Sequence, residues 1–368
     1  MRRLVSKDIE NLLPYVAGKP VEEVEKEYGI KDVIKLASNE NPLGPSPKAV
    51  EAIIRTLSKL NRYPDANTCR LKDLLSQRLK VHKESIVFGN GSNEIFELLV
   101  RTFMVPGDEA IIAHPTFLLY QKIVNSAGCH VVKVPLKNMT HDLLAMSQRI
   151  TPKTKFIFIN NPNNPTGTIV LKKDFEQFLK YVPENVIIIL DEAYFEFVQH
   201  TDYPDGKEYI NSKPHVVSVR TFSKAYGLAG LRIGYGLMNP ELANYVNRLR
   251  QPFNVNLLAQ VGAEAALEDE EFFRKTRETI WEGLKFLYGE LDEMDFKYIP
   301  SQTNFLLIDV KRDGRQVSQD LLKSGIIVRS LKEHGLDNYI RVSVGLPQEN
   351  KRFIKAFRSY ESLWENGS

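Results

Sequence analysis

Between residues 86 and 237 short apolar runs recur at intervals, separated by stretches whose apolar positions fall at helical spacing. The runs are Ile86-Val87-Phe88, Ala110 to Ala113, His130 to Val134, Lys155 to Asn160, Val186 to Leu190, Val216 to Arg220 and Arg232 to Leu237. Phe156-Ile157-Phe158-Ile159 and Val186-Ile187-Ile188-Ile189-Leu190 are apolar without alternation, as expected of strands buried on both faces. The intervening stretches Ile95 to Phe103, Phe117 to Ala127 and Leu171 to Tyr181 read as helices. Ahead of them lie a charged amphipathic helix over Val21 to Tyr28, a short strand over Asp32 to Ala37, and helices over Lys48 to Leu60 and Leu71 to Leu79. Alternating strands and helices predict an α/β large domain, layered α/β/α around a mostly parallel sheet.

The pattern changes after residue 237. A long helical zone runs from Pro240 to about Leu291, broken near Pro252. Strands over Asn304 to Val310, Ile326 to Arg329 and Tyr339 to Val344 follow, with helices over Gly314 to Lys323 and Gln348 to Tyr360. This reads as a smaller α+β domain joined to the first by the long helix. A chain of 368 residues exceeds what one core usually serves. The expected division is an N-terminal arm with part of the small domain (1–44), a large domain (45–265) and a C-terminal small domain (266–368).

Composition narrows the function classes. Hydrophobic content of 43% and charged content of 26% are ordinary for a globular protein. A net charge of +3 is too small to imply a nucleic-acid or membrane partner. The first residues turn polar at once, with no apolar h-region, and no apolar run reaches the ~18 residues of a membrane span. A cytoplasmic chain is expected. Cys69 and Cys129 make neither a disulfide framework nor a zinc site, and the seven histidines are scattered, so no metal is expected.

The chemistry concentrates in loops beyond the strand C-termini, where α/β folds bind ligands. In Thr221-Phe222-Ser223-Lys224-Ala225-Tyr226-Gly227, continuing to Arg232, a lysine stands among hydroxyls, glycines and an arginine. Thr221, Ser223 and Arg232 are good donors for a phosphate dianion. A lysine beside such a cup suggests pyridoxal phosphate; a solvated lysine in a glycine-rich loop is the plain alternative. Gly89-Asn90-Gly91-Ser92-Asn93 leads from a strand into a helix N-terminus, an anion site or a simple capped turn. It is not the dinucleotide fingerprint, because Glu94 replaces the third glycine. Asp191 follows an aliphatic strand and needs a positive partner there, such as a protonated pyridine nitrogen, unless it only caps the next helix. Asn164 and Tyr194 could bond a phenolic oxygen on that ring, and Phe117 could stack on its face or simply pack in the core.

Taken in order, the glycine cup, the aromatic, Asn-Pro-Thr-Gly, Asp-x-x-Tyr, Ser-Lys and Arg resemble the fold-type I aminotransferases of class I and II, along essentially the whole chain. The resemblance implies that Lys224 links covalently to pyridoxal 5′-phosphate and moves the substrate proton. It implies that Asp191, Asn164 and Tyr194 hold the ring. Ser92, Asn93, Ser223, Arg232 and Thr221 would hold the phosphate, and Arg341 the substrate α-carboxylate.

Within that family, Leu13-Pro14-Tyr15, Asn39-Glu40-Asn41-Pro42-Leu43-Gly44-Pro45, Arg62-Tyr63-Pro64-Asp65 and Gly227 to Tyr235 resemble the histidinol-phosphate branch. This implies transamination between L-histidinol phosphate and 2-oxoglutarate in histidine biosynthesis. Tyr15, Asn41 and Arg329 would join Asn164 and Arg341 around the substrate. Tyr63 would reach the cofactor phosphate of a neighbouring subunit, making a homodimer with shared sites. Phe117 departs from the tyrosine common in relatives; stacking survives that change, but a hydroxyl contact does not. Aromatic amino-acid aminotransferases and threonine-phosphate decarboxylases share much of the motif set. Regulators with an aminotransferase-like domain are disfavoured, because no basic recognition helix precedes the large domain.

Overall fold

The computed structural model describes residues 4, 5, 7–10, 12 and 19–365. Strand β1 is the two-residue Ile34–Lys35, shorter than the sequence pattern suggests. Next come β2 (Ile86–Gly89), β3 (Glu109–His114), β4 (His130–Pro135), β5 (Thr154–Asn160), β6 (Ile187–Asp191), β7 (His215–Thr221) and β8 (Gly234–Leu237). They form one seven-stranded sheet in the order β2-β8-β7-β6-β5-β3-β4. Every pairing from β7 to β4 is parallel; β8 runs antiparallel to both of its neighbours. The continuous apolar runs are explained by helices on both faces. Ile157, Ile159, Ile188 and Leu190 pack into one layer with Phe175 and Phe178, while Phe156, Phe158, Ile187 and Ile189 pack into the other with Phe96 and Leu99.

Register sets the site. Asn160 pairs with Asp191 and Asp191 with Val219, so β5, β6 and β7 end together. Thr221 and Gly89 both pair with Gly234, which brings the end of β2 to the same edge.

β9 (Tyr298–Ile299), β10 (Phe305–Asp309), β12 (Arg329–Leu331) and β13 (Leu336–Ser343) make a four-stranded antiparallel sheet; β11 (Ile326–Ile327) instead pairs parallel with β1. The run read as one strand over 326–329 is therefore two, serving different sheets. The long helical zone is three helices, Pro240–Leu249, Leu257–Leu267 and Glu270–Glu293. The second break comes at Asp269, whose carboxylate accepts the Phe272 N–H and caps the last helix. That helix packs Ile280, Leu284, Leu287 and Leu291 into the core of the small sheet, beside Phe305 and Phe197. A helix over Leu143–Ser147, capped by Asp142, had no clear sequence pattern. Among the described residues no helix is long and apolar enough to cross a membrane.

Candidate active site

Lys224 sits on a tight turn just past β7, closed by the Gly227 N–H donating to its carbonyl at 3.0 Å. Gly227 has φ +69°, and a Cβ there would lie 2.2 Å from the Gly44 carbonyl oxygen. Only glycine lets the loop before residue 45 lie against this turn. That loop supplies the Ser38 carbonyl, which accepts from Lys224 Nζ at 3.1 Å. Burial, reinforced by the Arg341 charge, lowers the lysine pKa to about 8.

Asp191, the last residue of β6, faces the same cavity, a space of about 260 Å³. Its Oδ1 accepts the Ala193 N–H at 3.0 Å, and its other oxygen accepts the Tyr120 hydroxyl. Burial pushes the carboxyl up to about 6. No cation pairs with it among the described residues. Glu192 is the contrast. One residue on, it accepts Arg220 Nε and NH2 at 3.0 Å each, the Gly206 N–H at 3.0 Å, and Ser218. Two consecutive acids thus have opposite fates, one neutralised by an arginine and one left for a cationic ligand group.

The same cavity is lined by Ser92, Asn93, Thr221, Ser223 and Arg232. Ser92 and Asn93 open the helix Ser92–Phe103, whose N-cap is Gly91, a residue with no side-chain acceptor for the first-turn N–H groups. Gly91 has φ +78°, and a Cβ on it would sit 2.5 Å from Arg232 NH2. Arg232 itself holds φ +57°, which removes it from β8 and aims its guanidinium back across the cup, 3.5 Å from Ser223 Oγ. Uncapped N–H groups, three hydroxyls and a guanidinium fit a phosphate dianion.

Phe117 lines the cavity and meets Tyr120 edge-on at 5.5 Å. Asn164 is held by its N–H donating to Asn160 Oδ1 at 2.7 Å, and its Oδ1 accepts from Arg341 NH1 at 2.6 Å. Its NH2 is thereby the end left to donate to an oxyanion. The Tyr194 hydroxyl accepts from Asn39 Nδ2 at 2.9 Å. Asn39 is itself clamped by Ser343 and by Asn304 Nδ2.

Arg341 and Arg329 face each other across β12 and β13 and line the cavity beside Lys224. Arg341 NH2 donates to the Ala37 carbonyl at 2.7 Å, and Arg329 pairs with Glu333 at 2.9 Å. Like charges directly opposite on paired strands are destabilising. An anion seated between them reverses the sign.

Two sequence-selected residues do not line the cavity of their own chain. Asn41 turns away, its amide donating to the Ala225 carbonyl at 3.0 Å and Thr276 at 3.2 Å, because its Oδ1 is engaged in a local turn with the Leu43 N–H. Tyr63 is 81% exposed and stacks on Phe253 at 4.6 Å. Tyr15 lies outside the described residues. Two others were given no site role: Tyr120, read only as part of a helix, and Asn39, read only as part of the motif Asn39 to Pro45.

The family model for aminotransferases of class I and II matches residues 31–357. A histidinol-phosphate aminotransferase of Moorella thermoacetica is 48% identical over 351 residues, covering 95% of this chain and 91% of that protein. Histidinol-phosphate aminotransferase 2 of Carboxydothermus hydrogenoformans is 48% identical over 356 residues, 96% of this chain and 98% of that one. The crystal structure of histidinol-phosphate aminotransferase from Sinorhizobium meliloti in complex with pyridoxal-5′-phosphate superposes with a TM-score of 0.89 at 26% identity, covering 98% of this chain and 99% of that one.

Proposed function

The chain belongs to the aminotransferases of class I and II, and on that premise we propose that it exchanges an amino group between L-histidinol phosphate and 2-oxoglutarate, with pyridoxal 5′-phosphate as cofactor, in histidine biosynthesis. Pyridoxal phosphate, when bound, supplies an aldehyde that takes up the amino group and a ring that accepts the electron pair left at the substrate Cα. The rest is the work of this chain's side chains.

Ser92, Asn93, Thr221, Ser223 and Arg232 would anchor the cofactor phosphate, and Phe117 would cover one ring face. Asp191 would hold the ring nitrogen protonated, and Asn164 and Tyr194 would donate to the phenolic oxygen. Lys224 Nζ, whose pKa burial lowers to about 8, would hold the cofactor and would move the proton at the substrate Cα. Arg341 binds the α-carboxylate of glutamate in one half-reaction. In the other, Arg341 and Arg329 together take the phosphate of histidinol phosphate, which has no carboxylate.

One observation carries the substrate reading: two arginines opposite each other on paired strands, in the cavity that also contains Lys224 and Asp191. The test compares kcat/KM for histidinol phosphate and for phenylalanine, each with 2-oxoglutarate. Histidinol phosphate should be strongly preferred, and Arg329→Ala should raise its KM ~30-fold, the equivalent of about 2 kcal/mol for a lost charged hydrogen bond. A preference for phenylalanine unaffected by Arg329→Ala moves the enzyme to the aromatic aminotransferases.

A homodimer with shared sites is part of the proposal, supported by exposed apolar side chains at Ile54, Leu57, Leu60, Tyr63 and Phe253. The division near residues 45 and 265 and a cytoplasmic location complete it.

A further inference from the structure

We propose that Tyr120 is a positioning residue for the cofactor ring: its hydroxyl keeps the Asp191 carboxylate ionised and oriented, so that the proton shared between Asp191 and the ring nitrogen rests on the nitrogen. The inference rests on the reading that this cavity binds pyridoxal phosphate.

Tyr120 is fully buried on the helix Leu119–Ser126. It stacks on Phe158 at 4.7 Å and meets Phe96 and Phe117 edge-on at 5.4 and 5.5 Å. A phenylalanine would fill that aromatic nest equally well, so packing does not account for the hydroxyl. A buried phenol needs a partner, and this one donates to Asp191. Its own pKa is pushed well above the ordinary value, by burial first and then by the Asp191 charge, so it remains a donor.

The consequence lies at Asp191. Burial raises that carboxyl, and the charge of Glu192 raises it further; the Tyr120 hydroxyl and the Ala193 N–H oppose the rise. Tyr194 is the other titratable group near Tyr120, while the Glu192 charge is itself met by Arg220. With the hydroxyl removed, the carboxyl becomes the better base and draws one proton from the ring nitrogen. The ring is then neutral and accepts electrons poorly. The same phenol touches Phe117, so one residue supports both the edge and the face of the ring.

The experiment uses holoenzyme reconstituted with pyridoxal phosphate labelled with 15N in the ring, read by 15N NMR. Wild type should resonate in the pyridinium range at neutral pH, and Asp191→Asn in the neutral-pyridine range. Tyr120→Phe should move the resonance toward neutral pyridine and weaken cofactor affinity roughly tenfold, the scale of one hydrogen bond to a charged group. A Tyr120→Phe resonance at the wild-type position overturns the proposal. In the Asp191→Asn background, Tyr120→Phe should change affinity little; an equal loss in both backgrounds marks a packing role alone and also overturns it. Should Tyr120→Phe by itself not yield holoenzyme, recovery of cofactor binding when Asp191→Asn is added supports the proposal, and failure to recover counts against it. Wild-type protein that takes up no cofactor would instead refute the reading of the cavity.

Discussion

At the scale of single residues, the site is governed by what burial does to charge. Lys224 has a pKa lowered to about 8, mainly by burial and then by Arg341. Only the neutral amine attacks an aldehyde, so uptake of pyridoxal phosphate by apoprotein should accelerate as pH rises and level off above a midpoint near 8. Arg341→Leu should move that midpoint upward, because a neighbouring positive charge is removed; stopped-flow absorbance across a pH series measures both. Lys224→Ala should lose the visible absorbance of the bound cofactor and lower turnover roughly a thousandfold or more. Asp191→Asn should retain cofactor but lower kcat by about two to three orders of magnitude. Lys224, Asp191, Ser92, Asn93, Thr221 and Ser223 were readable as candidates in the sequence because each stands at or shortly past the end of an apolar strand in a recognisable motif. Tyr120 and Asn39 were not. Tyr120 reaches Asp191 from 71 residues away, and Asn39 reaches Tyr194 from 155 residues away, contacts that no local pattern encodes.

At the scale of elements, apolar periodicity located most of the strands and helices, because burial on two faces leaves a run that needs no partner to be recognised. Junctions were harder to read. The helical zone read from Pro240 to about Leu291 was expected to break only near Pro252, yet one helix also ends at Leu267 and Asp269 starts the next. Its signal was present, an aspartate followed by Glu270 and Glu271 in a first turn. Asp269 also accepts from Ser46 Oγ at 2.5 Å, and Ser46 caps the helix Pro47–Thr56. One carboxylate therefore ties two helix N-termini together. Asp269→Ala should lower unfolding stability by about 1–2 kcal/mol, read as a lower denaturant midpoint. Asp269→Asn, which keeps a capping oxygen, should recover most of the loss.

At the scale of the whole molecule, the exposed apolar residues bear on the proposed second copy. Ile54 and Leu60 are 62% and 58% exposed, and the helix Pro47–Thr56 turns Val50 and Ile54 outward while Ala49 packs inward. Tyr63, stacked on Phe253 and outside its own cavity, is exposed as well. If that face joins two chains, each Tyr63 serves the partner's site, and subunit mixing separates this from a role within one chain. A Tyr63→Ala chain retains Lys224 but cannot supply its partner; a Lys224→Ala chain retains Tyr63 but lacks the nucleophile. Their heterodimer contains one site with both residues intact and one site with neither. Mixing the two variants under conditions that exchange subunits should therefore raise activity above the mean of the separate preparations. Ile54→Asp, which places a charge on the joining face, should shift the protein toward monomer in sedimentation velocity and abolish that gain. Additive activity on mixing, with subunit exchange confirmed, returns Tyr63 to its own chain and leaves the apolar face without this function.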